Sequence, residues 1–265
     1  MSLIFCSLGS GSKGNCYLLA SEKTKLLIDA GLNSKNIVLK LEELGVSAEE
    51  ISAVLVTHEH SDHVAGIKVF SKKYNVPVYA NEKTMLKLFE KEVISENKNA
   101  RTFTVGESFY VNDIDVYPFK TPHDSACSCG FSFFCRGAKV TVATDIGHMT
   151  KTVLSACENS DVLVLEANHD VQMLIDGPYS PYLKNRVQGA YGHLSNEVCG
   201  KTLAYLLDKG LKQVLLAHLS QENNTAELAL ETVTEFLKEK GAVVGKDVFV
   251  DVADQNERGK CYLIN

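Results

Sequence analysis

The 265-residue sequence lacks a long hydrophobic run, and its first residues lack a basic leader. No stretch approaches the roughly 20 apolar residues that cross a bilayer, so we expect no membrane partner. The opening residues, MSLIFCSLGSGSKGNC, do not combine a basic segment with a long apolar one, as a secretory leader does. Both absences favour a cytoplasmic protein.

Positive charge is also scarce. The chain has 27 Lys and Arg against 33 Asp and Glu, which gives a formal net charge of −6. This balance argues against a broad basic surface that holds nucleic acid by counterion release alone. A local phosphate site stays open, because two bound divalent cations would add about four positive charges in one cleft.

The eight cysteines do not have the pattern of a disulfide framework, because they are scattered along the chain. We expect reduced thiols. Cys6 and Cys16 lie in apolar segments where buried thiols pack. Cys127 and Cys129 follow His123 closely, yet no second cysteine pair completes a structural zinc site. Core packing is the favoured interpretation of this pair, and a metal or redox role is the alternative.

No Pro- or Ser-rich linker divides the chain, so we predict one domain over residues 1–265. Strand-like runs alternate with helical ones, which favours one mixed sheet, or two sheets, covered by outer helices. The predicted strands are Leu3–Leu8, Cys16–Leu19, Lys25–Ile28, Ala53–Val56, Val76–Tyr79, Asp115–Lys120, Gly130–Cys135, Lys139–Ala143, Val162–Glu166, Gln213–Ala217, Asp247–Val250 and Cys261–Ile264. The predicted helices are Ser34–Leu44, Val64–Lys73, Glu82–Lys91, Thr150–Cys157, Glu197–Lys209 and Ala226–Lys240.

Two local predictions accompany this assignment. Asn224 accepts from the first-turn amides of the last helix while Glu227 reaches back, as in a capping box. The segment Asp176–Gly192, rich in Gly, Pro and Tyr, is the one long irregular stretch. Because long loops in compact domains are usually functional or mobile, we expect it to overhang the active site.

The main chemical signal is the run from Thr57 to His63, T-H-E-H-S-D-H, directly after an apolar strand. In an extended chain His58 and His60 project to the same side, so one metal can bind both. A turn into the next helix would carry Asp62 and His63 towards a second, neighbouring position. Imidazole with carboxylate suits zinc, manganese or iron better than calcium or magnesium. The alternative, a solvated polar loop, leaves the clustering of three of the eight histidines unexplained.

Three more candidate ligands follow predicted strands. They are His123, Asp145 and His218. Each alone would more often be a surface or core residue, but together they indicate one edge of a sheet structure, where binding sites gather. A carboxylate at position 145 is able to bridge two cations.

The H-x-H-x-D-H run and these three residues, in this order, resemble the metallo-β-lactamase superfamily over nearly the whole chain. The resemblance implies an α/β fold, the αββα sandwich of two mixed sheets with outer helices, and a dinuclear site on one edge. It also implies that Asp29 steadies the ligand loop, where the alternative is a simple turn residue. The implied ligands are His58, His60 and His123 for one metal, Asp62, His63 and His218 for the other, and Asp145 as the bridge.

Three segments narrow the resemblance to the YycJ/WalJ-like group, regarded as DNA exonucleases. They are Ser7–Asn15, Glu166–Asp170 and Gly192–Asn196. The last also resembles the histidine-bearing segment that touches the scissile phosphate in tRNase Z-like enzymes. The Gly9–Gly14 stretch does not fit a P-loop, because Lys13 precedes Gly14 and a strand-like run follows. A tight turn between strands is the favoured interpretation.

Several weaker candidates surround this set. His193 stands where a loop meets a helix start, a place that favours anions. Ser195 is a candidate substrate contact or, in the alternative, only the helix cap. His169 is a candidate support beneath the ligands, or merely structural. Lys184 and Arg186 are candidate phosphate contacts from the overhanging segment, or solvated charges.

The resemblance implies a phosphodiesterase with two divalent ions, zinc or manganese, with iron also accepted. Its most specific form is a 5′-to-3′ exonuclease on duplex or single-stranded DNA, with a metal-bridging hydroxide as nucleophile. Asp62 would take up a proton, and His193 would stabilise the developing charge or protonate the leaving oxygen.

The alternatives keep the fold but change the chemistry. A small phosphodiester, thioester or lactone is the first alternative substrate for the same metal site. A flavodiiron-type redox protein is disfavoured, because such proteins usually carry Glu where His60 stands and append a flavin domain. The complete ligand set disfavours a non-catalytic binding module. There is also no room for the cap domain of β-CASP nucleases.

Overall fold

The computed structural model describes residues 3–95 and 97–264. Within that part of the chain, fourteen strands form two seven-stranded sheets. The strands are β1 (Leu3–Gly9), β2 (Cys16–Ala20), β3 (Lys25–Ile28), β4 (Ala53–Leu55), β5 (Val78–Asn81), β6 (Ala100–Phe103), β7 (Phe109–Val111), β8 (Ile114–Lys120), β9 (Cys129–Cys135), β10 (Ala138–Ala143), β11 (Val162–Glu166), β12 (Gln213–Ala217), β13 (Phe249–Val252) and β14 (Cys261–Ile264).

The helices are short, and none in the described ranges is long and apolar enough to cross a membrane. Single 3₁₀ turns lie at Ala48–Glu50, Asn97–Asn99 and Leu207–Lys209. The α-helices are α1 (Ser34–Glu42), α2 (Ser61–Val64), α3 (Ile67–Tyr74), α4 (Glu82–Glu90), α5 (Lys151–Cys157), α6 (Val171–Asp176), α7 (Pro181–Val187), α8 (Asn196–Leu206) and α9 (Ala226–Glu239).

The two sheets repeat one pattern of strand directions. In the first sheet, of order β14-β1-β2-β3-β4-β5-β6, the pairs up to β3 are antiparallel and those from β3 onwards are parallel. In the second, of order β7-β8-β9-β10-β11-β12-β13, the change comes at β10. Strands β8, β10, β11 and β12 therefore run the same way, and their carboxyl ends meet at one edge.

The core lies in three layers around these sheets. Because side chains alternate along a strand, Leu26 and Ile28 of β3 face the other sheet while Leu27 faces the outer helices. Helices α1, α3 and α4 cover the first sheet, and α5, α8 and α9 cover the second. The predicted αββα sandwich of two mixed sheets is confirmed.

The predicted irregular stretch at 176–192 is wrong, because it contains helix α7. Pro181 is the first helical residue, where its missing N–H leaves no hydrogen bond unmade. Ser180 caps the helix by accepting from the backbone N–H of Leu183 at 3.3 Å. Strands β6 and β7 were also not predicted.

The predicted cap of α9 is wrong by one residue. Thr225 is the N-cap, and its hydroxyl oxygen accepts from the N–H of Leu228 at 3.1 Å. The amide of Asn224 instead donates to the backbone oxygens of Ala167 and Asn168 at 2.9 and 3.2 Å. The side chain proposed as a cap thus ties α9 to the loop after β11.

The predicted helix Val64–Lys73 is also wrong, because it consists of α2 and α3 with a break at Gly66. The N–H of Gly66 leaves the helical pattern and donates to the backbone oxygen of Ala30 at 2.8 Å. A side chain at this position would meet the oxygen of Leu32 at 2.1 Å. The glycine therefore permits close contact between the loop after β3 and the histidine-rich segment.

Candidate metal centre

Three histidine nitrogens converge where β4 and β8 end. His60 Nδ1 lies 3.0 Å from His58 Nε2 and 3.3 Å from His123 Nε2. Two ligands of a tetrahedral zinc ion with bonds of about 2.0–2.1 Å lie about 3.3 Å apart. The three nitrogens can therefore hold one metal ion, and we refer to them as the first triad.

A second triad forms beside the first from Asp62, His63 and His218. Helix α2 begins just after His60, so its first turn carries Asp62 and His63 away from the first triad. Asp62 Oδ2 lies 3.3 Å from His63 Nε2 and 3.3 Å from His218 Nε2. These three atoms also match the separations of ligands around one ion.

Asp145 lies between the two triads. Its Oδ1 is 3.6 Å from His123 Nε2 and 3.6 Å from His218 Nε2, one nitrogen of each triad. Its Oδ2 is buried, lies 3.3 Å from His63 Nε2 and makes no hydrogen bond. A buried carboxylate oxygen without a donor is costly unless a cation completes it, so this orphaned atom fits a metal centre. One further grouping combines Asp145 and His218 with Glu166 and His193, and another combines His58, His63 and Asp145.

Three residues of the site have a left-handed backbone just beyond a strand. Asp29, Asp145 and His218 each have a φ of 57°. Non-glycine residues in this region cost on the order of 1–3 kcal/mol, and such strain gathers at functional sites. The conformation ends each strand abruptly and turns the side chain back over the sheet edge.

Hydrogen bonds behind the ligands fix which ring nitrogen is free. Nδ1 of His63 donates to Asp29 Oδ2 at 2.7 Å, and Nδ1 of His123 donates to the oxygen of Gly192 at 3.0 Å. Each Nε2 is therefore the nitrogen available to a metal. Asp29 also accepts from the N–H and the hydroxyl of Thr57, both at 2.8 Å. These contacts match the supporting role that the resemblance implies for Asp29.

Glu166 is a site residue that the sequence reasoning did not single out. At the end of β11 it is fully buried, and its Oε1 accepts from His218 Nδ1 at 2.9 Å and from His193 Nδ1 at 2.7 Å. Its Oε2 accepts from the N–H groups of Ile146 and Leu194 at 2.8 and 3.1 Å. The sequence did contain a signal for Glu166, because it is a charged residue at the end of an apolar strand, like the other candidate ligands.

The site is a balanced cluster of buried charges in the metal-free protein. Burial would raise the pKa of Asp145, but His218, His63 and His58 hold it well below its usual value. Burial would lower the pKa of His218, but Asp145 and contacts with Asp62 and Glu166 raise it to about 10. Burial lowers the pKa of His58, which leaves that ring neutral. Metal ions would take the place of the protons on the charged histidines.

The two triads open onto a cavity of about 450 Å³. Tyr179, Leu183 and Arg186 line one side of it, so the segment 176–192 does border the site. Ser12, from the loop between β1 and β2, lines another side. That loop joins two antiparallel strands, as predicted, and the N–H of Asn15 within it donates to the oxygen of Asp62 at 2.7 Å.

The predicted substrate contacts divide into two groups. His193 and Arg186 line the cavity. Ser195 is buried, and its hydroxyl caps α8 by accepting from the N–H of Val198 at 3.3 Å. The ammonium group of Lys184 donates to the oxygen of Ile175 at 2.5 Å, and Lys184 is not a lining residue. The structure thus brings two of the four candidates to the cavity.

The remaining candidates lie outside both triads. His169 is buried, burial lowers its pKa to about 4, and its Nδ1 has no hydrogen-bond partner. Cys127 and Cys129 are free thiols in none of the possible metal groups, and the other cysteines are also free.

Comparisons with known proteins agree with this fold and site. Residues 9–187 match the family model of the metallo-beta-lactamase superfamily. The chain is 37% identical over 242 residues to the exodeoxyribonuclease WalJ of Streptococcus pneumoniae serotype 2, which covers 91% of this chain and 90% of that protein. It is 36% identical over 246 residues to the exodeoxyribonuclease YycJ of Bacillus anthracis, which covers 93% of each chain.

A solved structure matches the fold at low sequence identity. The metallo-beta-lactamase fold protein YhfI from Bacillus subtilis superposes with a TM-score of 0.73 and 17% identity, covering 99% of both chains. The family model and the relatives extend the likeness from fold to sequence. This chain therefore belongs to the metallo-beta-lactamase superfamily of metal-dependent hydrolases.

Proposed function

We propose that this chain is a DNA exonuclease that uses two divalent metal ions and digests from the 5′ end. The proposal is carried by the likeness over nine-tenths of the chain to relatives named exodeoxyribonucleases. The presence of both triads and of Asp145 supports it, because every ligand type that the chemistry needs is available. Both sheets supply ligands, which supports treating residues 1–265 as one domain.

The arrangement of the donor atoms supports two ions. We assign one ion to His58, His60 and His123 and the other to Asp62, His63 and His218, with Asp145 in contact with both. Zinc or manganese, with iron as a third choice, suits these nitrogen and carboxylate donors. When bound, such a pair lowers the pKa of water, supplies the nucleophile and stabilises charge on the attacked phosphate.

The positions of Asp62 and His193 at the cavity support the proposed proton transfers. Asp62 lines the cavity, and its pKa is held low by His63 and by a hydrogen bond from His218 despite partial burial. It is therefore ionised at neutral pH, and its place in the cavity, rather than its basicity, supports its proposed role as proton acceptor. Nδ1 of His193 donates a hydrogen bond to Glu166, so its Nε2 is left to stabilise the phosphate charge or to protonate the leaving oxygen.

The size of the cavity favours an exonuclease. A volume of about 450 Å³ is in the range of pockets for small ligands, so it admits the end of one strand more readily than a duplex. Arg186 lines the cavity and is available to a phosphate there.

The test is digestion of an end-labelled, 5′-phosphorylated DNA duplex and its single strand by protein loaded with Mn²⁺. We expect stepwise release of mononucleotides from the 5′ end, and none after chelation or in the His60→Ala/Asp62→Ala variant. Asp62→Asn and His193→Ala should each lower kcat by about 10²–10⁴-fold. Release of nucleotides from the 3′ end would contradict the proposed direction of digestion. If Asp62→Asn or His193→Ala keeps the wild-type turnover, the proposed proton-transfer role of that residue is wrong.

Assays of small substrates with the same protein sample test the alternative substrate class. If both DNA forms stay intact while a small phosphodiester, thioester or lactone is hydrolysed, the metal site is catalytic and DNA is not its substrate.

A further inference from the structure

Two exposed tyrosines lie one and two residues along the chain from residues that line the cavity. Tyr182, in α7, is 80% exposed, and Tyr191, two residues before His193, is 63% exposed. Isolated exposed apolar residues are normal on protein surfaces. Two exposed aromatic side chains so close along the chain to lining residues of one cleft are a different observation, because each ring is amphipathic and accessible to a ligand.

The two tyrosines are connected through an ion pair at the cavity. Arg186 Nε donates to Asp124 Oδ2 at 2.6 Å, and the N–H of Asp124 donates to the backbone oxygen of Tyr191 at 3.1 Å. Tyr182 lies four residues before Arg186 in α7, so the two side chains share one face of that helix. We call Tyr182, Arg186 and Tyr191 the tyrosine rim.

The rim combines the groups that bind unpaired nucleotides. Aromatic rings and the plane of a guanidinium group stack on bases, and stacking tolerates any sequence because every base has a flat face. Arg186 also supplies positive charge in a protein with a formal net charge of −6. A base within a duplex has both faces covered by its neighbours, so only unpaired bases can use such a surface.

We propose that the tyrosine rim stacks unpaired bases of the strand that is being digested, next to the scissile phosphate. This inference rests on the proposed exonuclease function and specifies its substrate as a single-stranded or frayed 5′ end. A blunt duplex end would first have to open, at the energetic cost of unstacking its terminal pairs.

The first experiment compares KM and kcat of the metal-loaded wild type with those of Tyr182→Ala and Tyr191→Ala. The substrates are a 5′-phosphorylated single strand, the same strand with abasic units at its first few positions, and bis(p-nitrophenyl) phosphate. On the normal strand we expect each alanine variant to raise KM about tenfold, with kcat little changed. On the abasic strand and on the small diester the variants should equal the wild type.

Two control variants separate stacking from general damage. Tyr182→Phe keeps the ring and should keep the wild-type KM. Tyr110→Ala removes a tyrosine that is 70% exposed in β7, opposite the start of β8 and so far from the site, and should change nothing. Because the chain has no tryptophan, quenching of tyrosine fluorescence by the normal strand gives a second readout, which should shrink in both rim variants but not in Tyr110→Ala.

The outcomes distinguish this inference from the function on which it rests. If the wild type digests DNA and the rim variants keep its KM, the rim has no role and the exonuclease stands. The proposed role of the rim is also wrong if KM rises as much on the abasic strand or on the small diester as it does on the normal strand. If the wild type neither binds nor digests any DNA, the exonuclease proposal fails and the rim falls with it.

Discussion

The carboxylate of Glu166 has four hydrogen-bond donors around two oxygens. Two are the Nδ1–H groups of His193 and His218, and two are backbone N–H groups of Ile146 and Leu194. One side chain therefore orients His218 of the second triad, the cavity residue His193 and the loop that carries Asp145. Partners behind metal ligands typically contribute about 10- to 100-fold to metal affinity.

Glu166→Gln should weaken metal binding at the second triad by about tenfold or more, because its amide N–H₂ must face at least one of these donors. Titration of metal against a competing chelator measures the loss. Glu197→Gln is the control, since Glu197 is an exposed residue of α8 that only contacts Lys201 at 3.7 Å. Unchanged affinity in Glu166→Gln would mean that the imidazole rings are held without this carboxylate.

Sequence position alone indicated most of the side chains that cluster at the site. His58, His60, Asp62 and His63 are adjacent in sequence, so their clustering was visible before folding. The prediction placed His218 in the same site because it follows a strand, and the structure brings its Nε2 to 3.3 Å from Asp62. The role of Glu166 was not predicted, because it depends on contacts with side chains that are distant in sequence.

At the scale of elements, the loops after β3 and β4 are pressed together at Gly31. A Cβ on Gly31 would lie 1.7 Å from the backbone oxygen of Asp62, an impossible separation. The N–H of Gly31 also donates to the oxygen of Asn15, whose own N–H donates to that same oxygen of Asp62. The glycine thus sets how closely α2 approaches the sheet edge.

Gly31→Ala should displace α2 and abolish metal binding at the second triad while the sandwich remains. Metal content and circular dichroism of the purified variant test this directly. Gly259→Ala is the matched control, because a Cβ there would meet Ser7 at an ordinary 3.5 Å. A Gly31→Ala protein that binds two ions would show that the loop shifts without cost to the ligands.

The start of α9 separates two neighbouring residues with different roles. Thr225→Ala removes only the helix cap and should lower the free energy of unfolding by about 1 kcal/mol, with turnover unchanged. Asn224→Ala should cost more, about 2 kcal/mol, because the buried oxygen of Ala167 loses the Asn224 donor and the buried side chain of Asn196 loses its partner. Urea unfolding of both variants measures the two losses in the free energy of unfolding. An equal loss, or a larger one for Thr225→Ala, would contradict the assignment of the cap.

Sequence patterns failed for a helix that borders the cavity and for the edge strands of the two sheets. Helix α7 was predicted to be irregular because Pro181 and nearby glycines signal a break, although proline is well placed in a first turn. Strand β6 was not predicted because only Phe103 of its four residues is buried, so it has little hydrophobic pattern. Local sequence cannot decide such segments, since their conformation depends on the sheet edge or cleft that they contact.

For the whole molecule, the site depends on a meeting of two sheets that no local pattern encodes. His58 and His60 follow β4 of the first sheet, whereas His123 and His218 follow β8 and β12 of the second. Strand alternation predicted that parallel ends gather at an edge, but not which edges of the two sheets would face each other. The family resemblance supplied that arrangement before the structure did.

The charge of the whole molecule sets how DNA binding should depend on salt. The net charge is −6, and Arg186 and Lys91 are the two basic residues among those that line the cavity in the described chain. A single strand that releases counterions at about two contacts should give a slope of log(kcat/KM) against log[salt] of about −1 to −2. Digestion rates between low and physiological KCl, at fixed metal concentration, measure this slope. A slope steeper than about −4 would require an extended basic surface and would contradict binding by the metal ions, a few cations and the tyrosine rim.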